Sequence, residues 1–240
     1  MNPKRLLVRS MLLCAILLVT GCVYMRLYKV QNQLNDFDTN FELSDKGGLV
    51  LIFLNPVLQS GDMVWLMKNS PLRKENNGQG ELWTYIFEKQ YLTGAGEGHV
   101  YDIPILMLMQ NEMVKEIIFP ERFLKYISIP LLKKMFSSMG EAEINKLSKS
   151  ASSIFRGSNP EEIPGIENIV DTLGKPYSIE EEEETTKYTY LYYLKNGASE
   201  PVSDYFEFET EFIFNKESKS LEEARGKIRG LTMSLDFTSE

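Results

Sequence analysis

The chain has 240 residues, of which 26 are basic, 34 are acidic and 43% are apolar, so its net charge is −8. This apolar share is too high for a disordered chain, and the acidic balance argues against a nucleic-acid-binding protein. One histidine and two cysteines leave little room for a Cys/His metal site or a disulfide framework, whereas the length suits one large domain or two small ones.

The first 21 residues are typical of a secretory signal peptide. Lys4 and Arg5 give a basic start, residues 11–19 are apolar, and small residues precede position 22. The apolar run is shorter than the roughly 20 residues that span a bilayer. The sequence therefore predicts a signal peptide over residues 1–21, with an uncleaved membrane anchor reaching Met25 as the alternative.

The end of this segment carries a more specific motif. The residues LVTGC at positions 18–22 resemble the lipobox of bacterial lipoproteins. The resemblance implies cleavage between Gly21 and Cys22 and attachment of acyl chains such as palmitate to Cys22. Several acyl chains, at about 0.8 kcal/mol per buried CH₂, give a stable membrane anchor. The next residue is Val23 rather than the Asp that retains such proteins at the inner membrane, which implies the periplasmic face of the outer membrane.

Cleavage before Cys22 changes the composition of the remaining chain. It removes three basic residues and Cys14, which leaves 23 basic against 34 acidic residues and no free thiol. Catalytic cysteine, disulfide and thiolate metal sites are thereby excluded. An acidic surface also disfavours nucleic acid and anionic head groups, so we expect the lipid on Cys22 to be the only membrane contact. No cofactor or metal is predicted.

Residues 22–40 are predicted to tether the anchor to the folded part. Leu27, Val30 and Leu34 recur at three- and four-residue steps, which indicates an amphipathic helix in part of the segment. A flexible spacer and a docked helix both remain open.

The rest of the chain is predicted to form two halves, residues 41–127 and 128–240. Patterns in the first half predict strands over 48–54, 81–91, 100–110 and 113–119 and a helix over 63–69. In the second half they predict a helical stretch over 128–155, interrupted at Gly140, and a helix over 165–173 capped by Gly174. Three strands follow, over 187–194, 205–214 and 227–237.

The two halves share an element order at a spacing of 105 residues, with Pro71 matching Pro176 and Phe87 matching Tyr192. The predicted fold class is therefore α+β, with two tandem related modules. Each module would be short helices packed on a three- to four-stranded antiparallel meander. The aromatic stripes of the strands, centred on Tyr85 and Tyr190, are expected to form the core beneath the helices.

A family resemblance supports this fold. The residues LGKP at 173–176, followed by an aromatic strand at 187–192, are similar to the small outer-membrane lipoproteins of the BamE/SmpA type. Tandem copies of that unit resemble the beta-lactamase inhibitory protein fold. The resemblance covers residues 140–237 and, more faintly, 60–120, where Leu-Gly is missing before Pro71. It implies helices packed on an antiparallel sheet and modules that bind other proteins.

Residues that could carry chemistry are few. His99 is the only histidine and is expected to be a solvated loop residue beside a glycine-rich turn. The run Glu180–Glu184 is expected to be a solvated acidic loop without the spacing of a calcium site. Glu207, Glu209 and Glu211 line one strand face, which is expected to be exposed and is a candidate partner surface. No nucleophile elbow or phosphate-binding loop is present, so the chain is predicted not to be an enzyme.

These observations favour a membrane-anchored bacterial lipoprotein that acts as a non-enzymatic protein-interaction module in the cell envelope. Its partner would be another envelope protein, in outer-membrane assembly or maintenance. The alternative is a carrier or sensor of an apolar ligand such as lipid, because the apolar run at residues 105–109 contains two methionines that are suited to lining a cavity. An envelope hydrolase is a third hypothesis without a supporting motif.

Overall fold

The computed structural model describes residues 23–92, 98–145, 148, 150–155, 162–195, 207–228 and 231–238. Within them the chain forms five α-helices, a short 3-10 helix at Glu121–Lys125 and thirteen strands. The helices are α1 (23–34), α2 (Phe37–Asn40), α3 (Ser60–Met67), α4 (Ile129–Gly140) and α5 (Ile166–Leu173). The strands are β1 (Phe41–Ser44), β2 (Leu49–Phe53), β3 (Arg73–Asn76), β4 (Glu81–Lys89), β5 (Ile103–Gln110), β6 (Met113–Phe119), β7 (Glu143–Asn145), β8 (Ser150–Ile154), β9 (Ser178–Glu181), β10 (Thr185–Leu194), β11 (Glu207–Asn215), β12 (Leu221–Ile228) and β13 (Leu231–Asp236).

All thirteen strands belong to one mixed sheet. Eleven of them follow the order β1-β2-β6-β5-β4-β10-β11-β12-β13-β8-β7, while β3 pairs with β4 and β9 pairs with β10. Neighbouring strands are antiparallel except β13 and β8, which are parallel. The sheet therefore runs without a break from the first half of the chain into the second.

The predicted fold class, two tandem modules on small meanders, is wrong. The order α3-β3-β4-β5-β6 does recur as α5-β9-β10-β11-β12, but β4 and β10 join the two runs edge to edge. Glu88 lies opposite Tyr193 at this junction, with Phe87 opposite Leu194. Strands β3 and β9 pair with the first parts of β4 and β10, but residues 87–89 and 192–194 would have unpaired backbone groups in two separate modules. Pairing of β4 with β10 satisfies these groups.

The larger of two hydrophobic clusters among the described residues spans both halves. The alternation of β4 buries Trp83, Tyr85 and Phe87 on one face, and β10 contributes Tyr190 and Tyr192 to the same cluster. Side chains of α1, α3 and α5 pack onto this face of the sheet. The prediction that the aromatic stripes form the core is confirmed.

Two element assignments from the sequence are wrong. Helix α4 begins after Ser128, whose hydroxyl accepts a hydrogen bond from the Leu131 N–H, and it ends at Gly140. The rest of the predicted helical stretch forms β7 and β8 instead, because a serine-rich segment has little helical preference and β8 gains a partner in β13. The last predicted strand, over 227–237, is also wrong in its bounds, because residues 227 and 228 end strand β12 and β13 begins at Leu231.

The buried tyrosines predict a characteristic response to alkaline pH. Burial raises the pKa of Tyr85, Tyr190 and Tyr192 above the ordinary tyrosine value of about 10. The folded chain thus holds these three protons more tightly than the unfolded chain does. Their contribution to stability is complete below pH about 10 and is lost as the pH rises further. In an absorbance titration at alkaline pH, we expect these tyrosines to ionise only together with loss of the near-ultraviolet circular dichroism.

The unfolded chain in urea is the control for that titration, and there all twelve tyrosines should ionise near pH 10. Complete ionisation near that pH with the native dichroism retained would contradict the assignment of these side chains to the core.

Candidate functional site

The predicted lipidation site adjoins the described structure. Gly21 and Cys22 lie outside the described residues, which begin at position 23 with α1. Of the two interpretations of residues 22–40, the structure shows docked helices, α1 over residues 23–34 and α2 over Phe37–Asn40. Val23 and Phe37 are buried, and Leu27, Val30 and Leu34 pack against the core.

An ion pair fastens α1 to the body of the protein. The Arg26 guanidinium reaches the Asp62 carboxylate at the start of α3 with two contacts of 2.6 and 2.5 Å. Asp62 also accepts a hydrogen bond from the Gln59 backbone N–H at 2.8 Å, and only 1% of the residue is exposed. A bidentate pair at a buried carboxylate fixes both position and orientation. The first turn of α1 is therefore held rigidly on α3.

The outward side of α1 is apolar at its beginning. Tyr24, Met25 and Tyr28 have exposed fractions of 54%, 56% and 57%, among the largest of the big hydrophobic side chains described. Tyr24 also contacts Trp65 of α3 edge to face, with ring centroids 5.4 Å apart. We call these three residues the aromatic patch, after the two tyrosines that flank Met25. Such exposure of large rings beside the predicted anchor is the first unusual feature of the surface.

The predicted acidic surface is part of an ion-pair network. Glu209 pairs with Lys227 at 2.8 Å, and this hydrogen bond raises the pKa of Lys227. Glu211 is buried, so the expectation of an exposed face is wrong for this residue. Its carboxylate lies 3.4 Å from Lys227 and 3.8 Å from Lys187. Glu207 begins β11, and its side chain lies outside the described part.

The sheet therefore has an outer face, opposite the core, with two different halves. Over β10 to β13 it carries the charges just described, and basic residues from the strands on either side neutralise the glutamates. Over β2, β6, β5 and β4 it is mainly aliphatic, although the register also places Thr84, Glu88 and Glu116 on it. We call six of its aliphatic residues there, Val50, Leu82, Ile86, Leu106, Leu108 and Ile118, the aliphatic face.

The aliphatic face forms a continuous patch by strand register. Ile118 of β6 lies between Val50 of β2 and Leu106 of β5, and Leu82 lies opposite Leu108. Val50 and Leu108 are buried and the other four are half-buried. None of the six belongs to the clusters in which the described helices pack on the sheet. A sheet face that is apolar without belonging to the core is suited to covering by a partner.

A buried lysine occupies the junction of the two halves. Lys89 donates a hydrogen bond to the Leu173 carbonyl at the end of α5, and its ammonium lies 4.9 to 5.2 Å from the ring centroids of Tyr91, Tyr101 and Tyr190. Aromatic faces and a helix C-terminus both favour a positive charge. Lys89 therefore holds α5 against the centre of the sheet, where its amine is shielded from solvent.

The remaining titratable cluster contains Glu88, His99 and Asp102, which offer ligand atoms within 4.8 Å of one another. His99 Nδ1 lies 2.6 Å from Asp102, and Glu88 pairs with Lys195 at 2.6 Å. Asp102 also accepts the Lys89 backbone N–H at 2.9 Å. These bonds fasten the loop at residues 98–102 to β4, and each carboxylate already has a cationic or N–H partner.

The apolar run proposed to line a ligand cavity is part of the core. Ile105, Met107 and Met109 are buried in the central cluster, whereas Leu106 and Leu108 belong to the aliphatic face. The two best-formed clefts among the described residues, of about 410 and 380 Å³, lie elsewhere and are open to solvent. Both are lined in part by charged side chains, so neither is suited to an apolar ligand.

Comparison with protein-family models, with curated proteins and with solved structures finds no match for this chain. The lipobox and the resemblance to the BamE/SmpA type therefore stay predictions. Within the described ranges, no helix has the length and hydrophobicity needed to cross a bilayer.

Sequence reasoning missed the main features of this surface. Arg26 and Lys89 carry no motif, because each acts through a contact distant in sequence. Asp62 caps the start of α3 locally, but its pairing with Arg26 leaves no signal in the sequence. The aliphatic face did leave a signal. Residues 105–109 are apolar at every position. Because successive residues of a strand point to opposite faces, such a strand has two apolar faces.

Proposed function

We propose that this protein is a bacterial lipoprotein, anchored by acyl chains on Cys22 at the periplasmic face of the outer membrane, that binds another envelope protein through the aliphatic face. The observation that carries the proposal is the division of the outer face of the sheet. Its charged half is neutralised within the chain, whereas its aliphatic half belongs to neither hydrophobic cluster among the described residues.

The character of the aliphatic face supports protein binding over catalysis. Six aliphatic side chains on neighbouring strands give a continuous apolar surface, and removing such a surface from water is the main favourable term in protein association. The titratable clusters of the described chain serve ion pairs and loop fastening. A partner in outer-membrane assembly or maintenance agrees with the predicted location of the anchor.

The anchor is tested by metabolic labelling in the native bacterium. Wild-type protein should incorporate labelled palmitate and fractionate with the outer membrane. A Cys22→Ser variant should do neither, whereas Cys14→Ser, which alters the other cysteine, should behave as wild type. Equal labelling of the Cys22→Ser variant would refute the anchor.

The interaction surface is tested by crosslinking in the same cells. A photo-crosslinking amino acid is placed at Thr84 or Ile86 on the aliphatic half, and at Glu209 or Thr232 on the charged half as matched controls. We expect the same protein to be captured from Thr84 and Ile86 and not from the controls. Capture only from the charged half, or from none of the four positions, would contradict the proposal that the aliphatic face binds a partner.

A further inference from the structure

We infer that the aromatic patch of α1 inserts into the lipid interface and fixes the orientation of the protein on the membrane. This inference rests on the proposed lipid anchor at Cys22. It goes beyond that anchor because acyl chains alone leave a domain free to rotate about the attachment point.

The position of the patch in the chain places it within reach of the bilayer. The Cα atoms of Cys22 and residue 23 are about 3.8 Å apart, since consecutive residues are joined by a trans peptide. Tyr28 lies five residues further along α1, or about 7.5 Å along a helix axis. The head-group region of one leaflet is roughly 5 to 8 Å thick. If the helix points away from the membrane, the Cα atoms of Tyr24 and Met25 lie about 5 and 7 Å from that of Cys22, within the head-group region, and that of Tyr28 lies at about 11 Å, just beyond it. Tyr28 reaches interfacial depth when α1 is inclined towards the membrane surface.

The helix cannot swing away from that position as a free tether would. The bidentate pair of Arg26 with buried Asp62 and the packing of Leu27 and Val30 tie α1 to the sheet. A membrane contact made by α1 is thus transmitted to the whole body of the protein.

The composition of the outward side changes along the helix as an interfacial contact requires. The outward side of α1 begins with Tyr24, Met25 and Tyr28, all more than half exposed. Exposed Asn32 follows on the same helix, and exposed Asn35 lies just beyond its end. Tyrosine rings prefer the membrane interface, where the ring meets acyl chains and the hydroxyl meets water.

The local charge is also compatible with a membrane surface. Residues 23–30 contain Lys29 and no acidic residue, and the charge of Arg26 is balanced by Asp62, although the chain as a whole carries net charge −8. Anionic head groups repel an acidic body, and this segment offers the approach with the least repulsion. The expectation that the lipid is the only membrane contact is therefore revised: α1 adds a second one.

The test uses the full lipidated chain in vesicles with phosphatidylethanolamine in excess over phosphatidylglycerol. Trp65 contacts Tyr24 and is one of two tryptophans, so it reports on this region without labelling. Phospholipids brominated near the head group should quench its fluorescence in the wild type. In the Tyr24→Ser/Met25→Ser/Tyr28→Ser variant we expect quenching to fall at least twofold.

Two controls make the result specific. The Trp65→Phe variant should lose the lipid-dependent signal, because Trp83 is buried in the core. The Ile179→Ser/Met233→Ser variant removes two exposed apolar side chains from strands of the body and should keep wild-type quenching. Circular dichroism should be unchanged in all variants.

Several outcomes would overturn the inference. If the palmitate-labelled wild type shows no quenching, or if the triple variant is quenched equally, the patch does not enter the lipid and the anchor still stands. If palmitate is not incorporated, the anchor fails instead. A photo-crosslinker at position 28 that yields a protein adduct in cells, with no quenching in vesicles, would assign the patch to a protein partner.

Discussion

Replacing Arg26 by alanine is expected to lower the free energy of unfolding by about 3 kcal/mol or more. The substitution leaves the Asp62 carboxylate, which is 1% exposed, without the guanidinium that now contacts both of its oxygens. A buried charge without its partner costs far more than the pair itself contributes. Urea denaturation of the chain from residue 22, with Cys22→Ser to keep it soluble, measures the change.

Lys29→Ala is the matched control for this prediction. Lys29 is a basic residue of the same helix, one turn away and exposed, so its removal should change stability by no more than about 0.5 kcal/mol. Equal urea midpoints for the two variants would mean that α1 is not fastened through Arg26.

Replacing Gly174 by alanine is expected to cost about 3 kcal/mol. Gly174 ends α5 with φ +73° and ψ −168°, a backbone conformation almost confined to glycine, where a side chain adds roughly 1–3 kcal/mol of strain. Its new Cβ would also lie 2.6 Å from the Tyr101 ring and 2.7 Å from Lys89 Nζ. Overpacking of that kind typically costs a further 1–3 kcal/mol. The variant tests whether the lysine site at the junction of the two halves is as tightly packed as described.

Gly165→Ala provides the comparison at the other end of the same helix. Gly165 has an ordinary φ of −83°, and an added Cβ would meet its nearest neighbours at 3.6 and 3.9 Å. Gly165 is the N-cap of α5, where alanine is less favourable than glycine, so we expect a loss of no more than about 1 kcal/mol. Similar losses for both variants would show that helix α5, rather than the site around Lys89, is sensitive to substitution.

Local signals in the sequence predicted most of the individual elements. The alternation of Trp83, Tyr85 and Phe87 predicted strand β4 and its buried face, and Gly174 followed by Pro176 predicted the end of α5. Such signals succeed because side-chain periodicity and cap geometry are decided by neighbours in sequence.

The arrangement of the elements was not predictable in this way. Which strand lies beside β4 depends on whether two edges meet, and the aromatic pattern of β10 is equally compatible with an isolated meander. Strand β8 was not predicted for the same reason. Its serines do not indicate a strand, and its parallel partner β13 is remote in the chain. The error in fold class came from this junction.

The candidate site shows the same limit. Glu209 and Glu211 were correctly placed on one strand face, but the basic residues that neutralise them come from β10 and β12. A single sequence shows which residues of one strand are charged, but it does not show which residues of the neighbouring strands neutralise them. The anchor motif is the opposite case, since all its residues are adjacent.

The position of β13 between β12 and β8 constrains the order of folding. Ser150 pairs with Thr232, so β7 and β8 have no place in the sheet until the chain is complete as far as β13. Closing so long a loop costs conformational entropy that only the docking of β13 repays, which makes this step slow. For a lipoprotein exported as proposed, such a delay would leave the chain incompletely folded while its N-terminal part crosses the inner membrane.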